Sequence, residues 1–113
     1  MRAERVEEMV AYIQERCLWQ FHSRAWDRED NIAGVLSRTA EILTGREARD
    51  ETEADRCWRA DAKVLAAEFK SAFPWLGKAK PDEVEAALEG VKARMLELTV
   101  AKSRNEELRL QNY

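Results

Sequence analysis

The sequence predicts an all-α domain of four helices, with a short fifth helix as a variant at the C-terminal end. Two observations carry this: apolar residues recur at helical spacing in four separate stretches, and Gly and Pro are scarce. Four Gly and two Pro in 113 residues are too few for the turns of a β sandwich or barrel. The length fits a single domain with one modest core and a radius of gyration of about 13 Å.

Val6, Met9, Val10, Ile13 and Cys17 follow one helical stripe, while Glu4, Arg5, Glu7, Glu8, Glu15 and Arg16 take the other faces. The next stretch, CLWQFHSRAWDRE at 17–29, crowds Leu18, Trp19, Phe21 and Trp26 together. A single narrow stripe does not accommodate that many large side chains, so some of them face something else. Ile32, Val35, Leu36, Thr39, Ile42 and Leu43 restore the period, and Gly45 follows where a left-handed residue closes a helix, which predicts an end near Thr44.

Residues 46–52, REARDET, lack a large apolar side chain and read as a loop. Thr52 and Asp55 form a capping arrangement that starts a third helix. Its buried face carries Trp58, Ala62, Leu65, Ala66, Phe69 and Phe73, and Pro74 stops it. FPWLGKAKP is then a rigid connector that presents Trp75. Pro81, Asp82 and Glu83 suit a first turn, and Val84, Ala87, Leu88, Val91, Met95 and Leu98 predict a fourth helix of about 18–20 residues from their heptad-like spacing. Ser103 and Glu106 make a capping box for a short terminal helix. The domain is expected to cover residues 1–102, with 103–113 a tail ordered on partner binding.

Composition excludes several functions. With 22 acidic and 19 basic residues the net charge is −3, which disfavours a nucleic-acid partner. No apolar run approaches a membrane span, and the charged N-terminus does not read as a signal peptide, so a cytoplasmic protein is expected. Cys17 and Cys57 form no metal-binding pair and read as reduced, buried thiols. His22 beside Ser23 hints at a base and nucleophile, yet adjacent helical residues point apart, and a hydrogen-bonded or interface histidine is the simpler reading. Neighbouring acids read as solvated faces, and the dispersed glycines build no phosphate loop. No catalytic, cofactor-binding or metal-binding residue is expected.

What remains is aromatic and cationic. Trp19, Phe21, Trp26, Trp58 and Trp75 are interleaved with Arg16, Arg24, Arg28, Arg56 and Arg59, and arginine outnumbers lysine about two to one. Any one tryptophan reads equally well as core. Together they point to a protein-docking surface, because Trp and Arg dominate the energetic centres of interfaces. The candidate interface residues are Trp19, Phe21, His22, Arg24, Trp26, Arg28, Trp75, Leu108 and Tyr113.

The CLWQFHSRAWDRE run closely resembles the signature of the small delta subunit of the alternative, molybdenum-free nitrogenases. Asp61-Ala62, Phe73-Pro74-Trp75 and the closing segment from Ser103 to Leu108, with a terminal Tyr113, extend the likeness over nearly the whole chain. The resemblance implies an accessory subunit that docks mainly on the large alpha subunit, within an assembly holding two copies each of alpha, beta and delta chains. It implies indirect, transient contact with the nitrogenase iron protein. The P-cluster and the iron–vanadium or iron–iron cofactor would reside on the large subunits, with none bound here, and the delta chain would assist cofactor insertion or turnover.

DNIAGVL at 30–36 and LTG at 43–45 look more like the vanadium form, whereas His22 and Asp55-Arg56-Cys57 look more like the iron-only form; the vanadium form is favoured. Trp58-Arg59-Ala60 and Val100-Ala101-Lys102 depart from both, and Arg59 and Lys102 place charge where a partner face would otherwise be apolar. The alternative from another class is a free-standing helical adaptor or regulator, a homodimer through the 84–98 stripe. A small hydrolase using His22 is a third.

Overall fold

The computed structural model describes residues 2–16, 29–46, 49 and 52–111, with side chains for 4–16, 30–46, 49 and 52–99. The described residues form α1 (Arg2–Glu15), α2 (Glu29–Thr44), α3 (Glu53–Ala72), a 3-10 turn (Pro74–Gly77) and α4 (Pro81–Gln111). No strand occurs among them. The expected four-helix, all-α architecture is what forms.

One apolar stripe per helix meets at a common core. Met9, Val10 and Ile13 come from α1, Ile32, Val35 and Leu36 from α2, Ala62, Leu65 and Phe69 from α3, and Val84, Leu88, Val91 and Met95 from α4. Leu76 closes the core from the 3-10 turn. α2 packs on both α3 and α4, and α1 packs on α4. Thr39 is wholly buried on α2, and its hydroxyl donates to the Val35 carbonyl at 2.8 Å, which removes the cost of burying it unpaired.

Local chemistry fixes the helix ends. Gly45 has φ of 71°; its N–H donates to Ile42 O at 3.2 Å while Arg46 N–H donates to Glu41 O at 2.8 Å, the paired closure of a Schellman motif. The Thr52 hydroxyl oxygen accepts from the Asp55 N–H at 3.0 Å and caps α3. At the far end Phe73 N–H still reaches Phe69 O at 2.8 Å, after which Pro74 redirects the chain into the 3-10 turn. Pro81 opens α4, where its missing N–H costs nothing.

Three expectations are corrected. α4 runs unbroken for 31 residues to Gln111, not 18–20, because no Gly or Pro interrupts residues 91–111 and Ser or Glu inside a helix costs only tenths of a kcal/mol, roughly, relative to Ala. The radius of gyration is 14.7 Å, with a longest extent of 51 Å. Cys57, expected to be buried, is an exposed free thiol; it lies off the α3 stripe that carries Ala62, Ala66 and Phe69. Cys17 lies outside the described residues. Finally, the 84–98 stripe is no homodimer seam, because Val84, Leu88, Val91 and Met95 are at most 6% exposed within the chain's own core.

Candidate functional site

Trp75 stands on the 3-10 turn because Pro74 ends the α3 trajectory and Leu76, its neighbour, anchors the turn in the core. That leaves the indole half-buried at the surface. The guanidinium carbon of Arg5, from α1, lies 4.4 Å from the indole centroid, a cation–π contact. Val6 of α1 and Glu83, Ala86 and Ala87 of α4 complete a shallow cleft around this pair. Gly90 lets α1 approach α4 there: a Cβ at that position would stand 2.8 Å from Val6 Cγ2.

Three of the cationic residues in the aromatic group have other duties. Arg59 is buried at 7% exposure, so its charge is not presented to a partner face. Arg56 is exposed and pairs with Glu53 one turn earlier. Arg16 sits 5.9 Å from the Tyr12 ring centroid. Trp58 is also structural: its Nε1–H donates to Asn31 Oδ1 at 2.9 Å and its ring lies against Gly34. Of the candidate interface residues, Trp75 alone has a described side chain. Trp19, Phe21, His22, Arg24, Trp26, Arg28 and Tyr113 lie outside the described residues, and Leu108 is described only as backbone within α4.

Arg5 is the site residue that pattern reading misses. It sits among the polar faces of α1, and nothing local connects it to an indole seventy positions later. The only hint was compositional, an arginine on the first helix of a tryptophan-rich chain.

A second surface feature is polar. Ser37, Ala40, Glu41 and Thr44 of α2, Arg46 just beyond it, and Glu85 and Glu89 of α4 line a groove, spanned by an Arg46–Glu85 ion pair at 2.6 Å. This pair is exposed and adds little stability. Among the described residues no three His, Cys, Asp or Glu side chains gather as a metal ion would require, and no helix is long and apolar enough to cross a membrane.

The described surface thus carries an Arg5–Trp75 cleft and a polar groove. In comparison with known proteins, the family model for the vanadium/alternative nitrogenase delta subunit matches residues 3–113. The chain belongs to that family. Among delta chains it is 42% identical over 103 residues to the nitrogenase iron-iron protein delta chain of Clostridium pasteurianum, covering 91% of this chain and 89% of that one. To the Rhodobacter capsulatus iron-iron protein delta chain it is 41% identical over 111 residues, covering 98% and 96%. The Rhodospirillum rubrum counterpart is 38% identical over 110 residues, covering 97% and 95%. The delta-subunit resemblance carried by residues 17–29 is therefore correct at the level of the family, which places the chain among the subunits of an oxidoreductase, nitrogenase.

Proposed function

We propose that this chain is a non-catalytic delta subunit of an alternative dinitrogenase that acts by contact, docking on the large alpha subunit to support assembly, cofactor insertion or activity in the reduction of dinitrogen to ammonia. The observation that carries the reading is the family match along residues 3–113. The stacked Arg5–Trp75 pair on a surface cleft supports docking as the mode of action. In this reading the aromatic segment from Trp19 to Trp26, with Arg24 and Arg28, makes the main contact, and residues 103–113, helical through Gln111 in the chain alone, add a second one.

The large subunits carry the P-cluster and the iron-containing cofactor. This chain's donors do not fit either group: it has two cysteines in all, short of the four thiolates that a protein-held iron–sulfur cluster uses, and Cys57 stands exposed. The assembly holds two copies of each of three chains, meets the nitrogenase iron protein transiently, and works in the cytoplasm. Of the metal forms, the three relatives above are iron-iron protein chains, which supports the iron–iron form over the vanadium form suggested by residues 30–36 and 43–45.

The test is purification of the tagged chain from molybdenum-starved, nitrogen-fixing cells, with mass spectrometry of the partners and metal analysis. Equimolar large nitrogenase subunits with iron alone are the expected outcome. The same subunits with vanadium would reverse the metal assignment, and recovery of the chain by itself would overturn the docking reading.

A further inference from the structure

The described ion pairs of arginine side chains join Arg38, Arg46, Arg56 and Arg94 to carboxylates. Arg5 is in none of them; its described interaction is with the Trp75 ring. A guanidinium stacked on an indole keeps its N–H donors around the edge of its plane, where they match the two oxygens of a carboxylate. Stacking also holds the side chain in place, so less rotamer freedom is lost when a ligand arrives.

The rest of the cleft is shaped for something apolar. Val6, Ala86 and Ala87 line it beside Trp75, and the two alanines leave room that longer side chains would fill. Glu83 lines the same cleft without pairing to Arg5. Its negative charge disfavours a ligand with carboxylates on both sides and so gives the cleft a polarity.

We infer that this cleft receives an acidic–apolar segment of the partner subunit: an Asp or Glu side chain accepts hydrogen bonds from Arg5, and an adjacent apolar side chain packs on Val6, Ala86 and Ala87. The inference rests on the docking reading above and adds the chemistry of what docks. Charge complementarity selects the occupant, since a basic segment would meet an unpaired guanidinium and a purely apolar one would leave that cation covered and unsatisfied.

The test uses the large-subunit complex purified from molybdenum-starved cells that lack this chain, titrated with the full-length chain and with Arg5→Glu and Arg5→Lys variants. Arg5 belongs to no part of the core, and thermal melts of each variant verify that the fold is retained. Arg5→Glu is expected to weaken binding about tenfold or more, and Arg5→Lys by a smaller factor, because an ammonium keeps the charge but loses the planar fork. A benzophenone side chain placed at Ala86 is expected to cross-link to a partner peptide in which Asp or Glu adjoins an apolar residue. Wild-type affinity in Arg5→Glu, or cross-links confined to peptides without acidic residues or to a second copy of this chain, would overturn the inference while leaving docking intact. Failure of the wild-type chain to bind would overturn the docking reading itself.

Discussion

Trp58 of α3 lies so close to Gly34 of α2 that a Cβ at position 34 would stand 2.3 Å from the ring atom Cδ2. Its indole N–H then reaches Asn31 Oδ1, one turn earlier on α2, at 2.9 Å. Indole nitrogen only donates, so Asn31 is held with its oxygen toward α3. A Gly34→Ala substitution forces the ring outward and is expected to destabilise the fold by about 1–3 kcal/mol. Chemical denaturation measures the loss, and a change in tryptophan fluorescence of the folded state reports the displaced indole.

Tyr12 joins α1 to α3 in two ways. Its ring packs against Phe69 and Phe73, with centroids 6.3 and 5.6 Å away, and its hydroxyl donates to Glu68. Tyr12→Phe keeps the first contact and removes the second, so it is expected to cost about 1 kcal/mol. Tyr12→Ala removes both and is expected to cost about 3 kcal/mol or more. Equal losses in the two variants would contradict this division.

Two glycines make a matched pair of opposite expectation. Gly45 has φ of 71°, where a Cβ is strained, so Gly45→Ala is expected to cost about 1 kcal/mol. At Gly77 an added Cβ would have nothing within 4 Å, and φ is not positive, so Gly77→Ala is expected to stay within about 0.5 kcal/mol of wild type. Differential scanning calorimetry of both distinguishes backbone strain from a general effect of added methyl groups.

On the proposed docking through the aromatic segment, Trp26→Ala and Arg24→Ala are expected to lower co-purification of the large subunits well below equimolar while the variants accumulate normally in the cell. Full stoichiometry in both would remove the aromatic segment from the docking surface.

Ending the chain after Lys102 is expected to leave the melting temperature nearly unchanged, since Met95 is the last buried α4 core residue among the described side chains. Binding to the large subunits is expected to weaken. A truncated chain that melts much earlier would place residues 103–111 in the fold rather than in the contact.

Four helix limits, the end of α2, both ends of α3 and the start of α4, were legible because each depends on the chemistry of a residue at that place: the left-handed Gly45, the Thr52 hydroxyl, the missing N–H of Pro74 and Pro81. The buried faces were legible from spacing. Partner choice between elements was not, since a stripe tells which side is inside and says nothing of what it meets there. Trp58 on Gly34, Val6 on Gly90 and Arg5 on Trp75 all join residues far apart in the chain. For the same reason Trp58 and Arg59 looked like interface residues: Trp and Arg are common both in docking surfaces and in buried, hydrogen-bonded positions. The Ser103 and Glu106 pattern read as a helix start because a capping box and a continuing helix share those residue types, and only a breaker upstream separates the two.

α4 begins beside the Trp75 cleft and ends 25 residues beyond Ala86 of that cleft, which at 1.5 Å per residue is about 38 Å away. On the proposed docking, a single rod of that length works as a ruler. A host surface that grips both the cleft and the far tip must offer its two receptor patches at that separation, and each grip then raises the local concentration of the other. Shortening or lengthening α4 by a turn between Met95 and Gln111 would shift the tip by about 5.4 Å and rotate it little, a change of spacing without a change of contact chemistry. Two individually weak grips can thus hold a chain of 113 residues on a much larger host, and host surfaces with another spacing lose that gain.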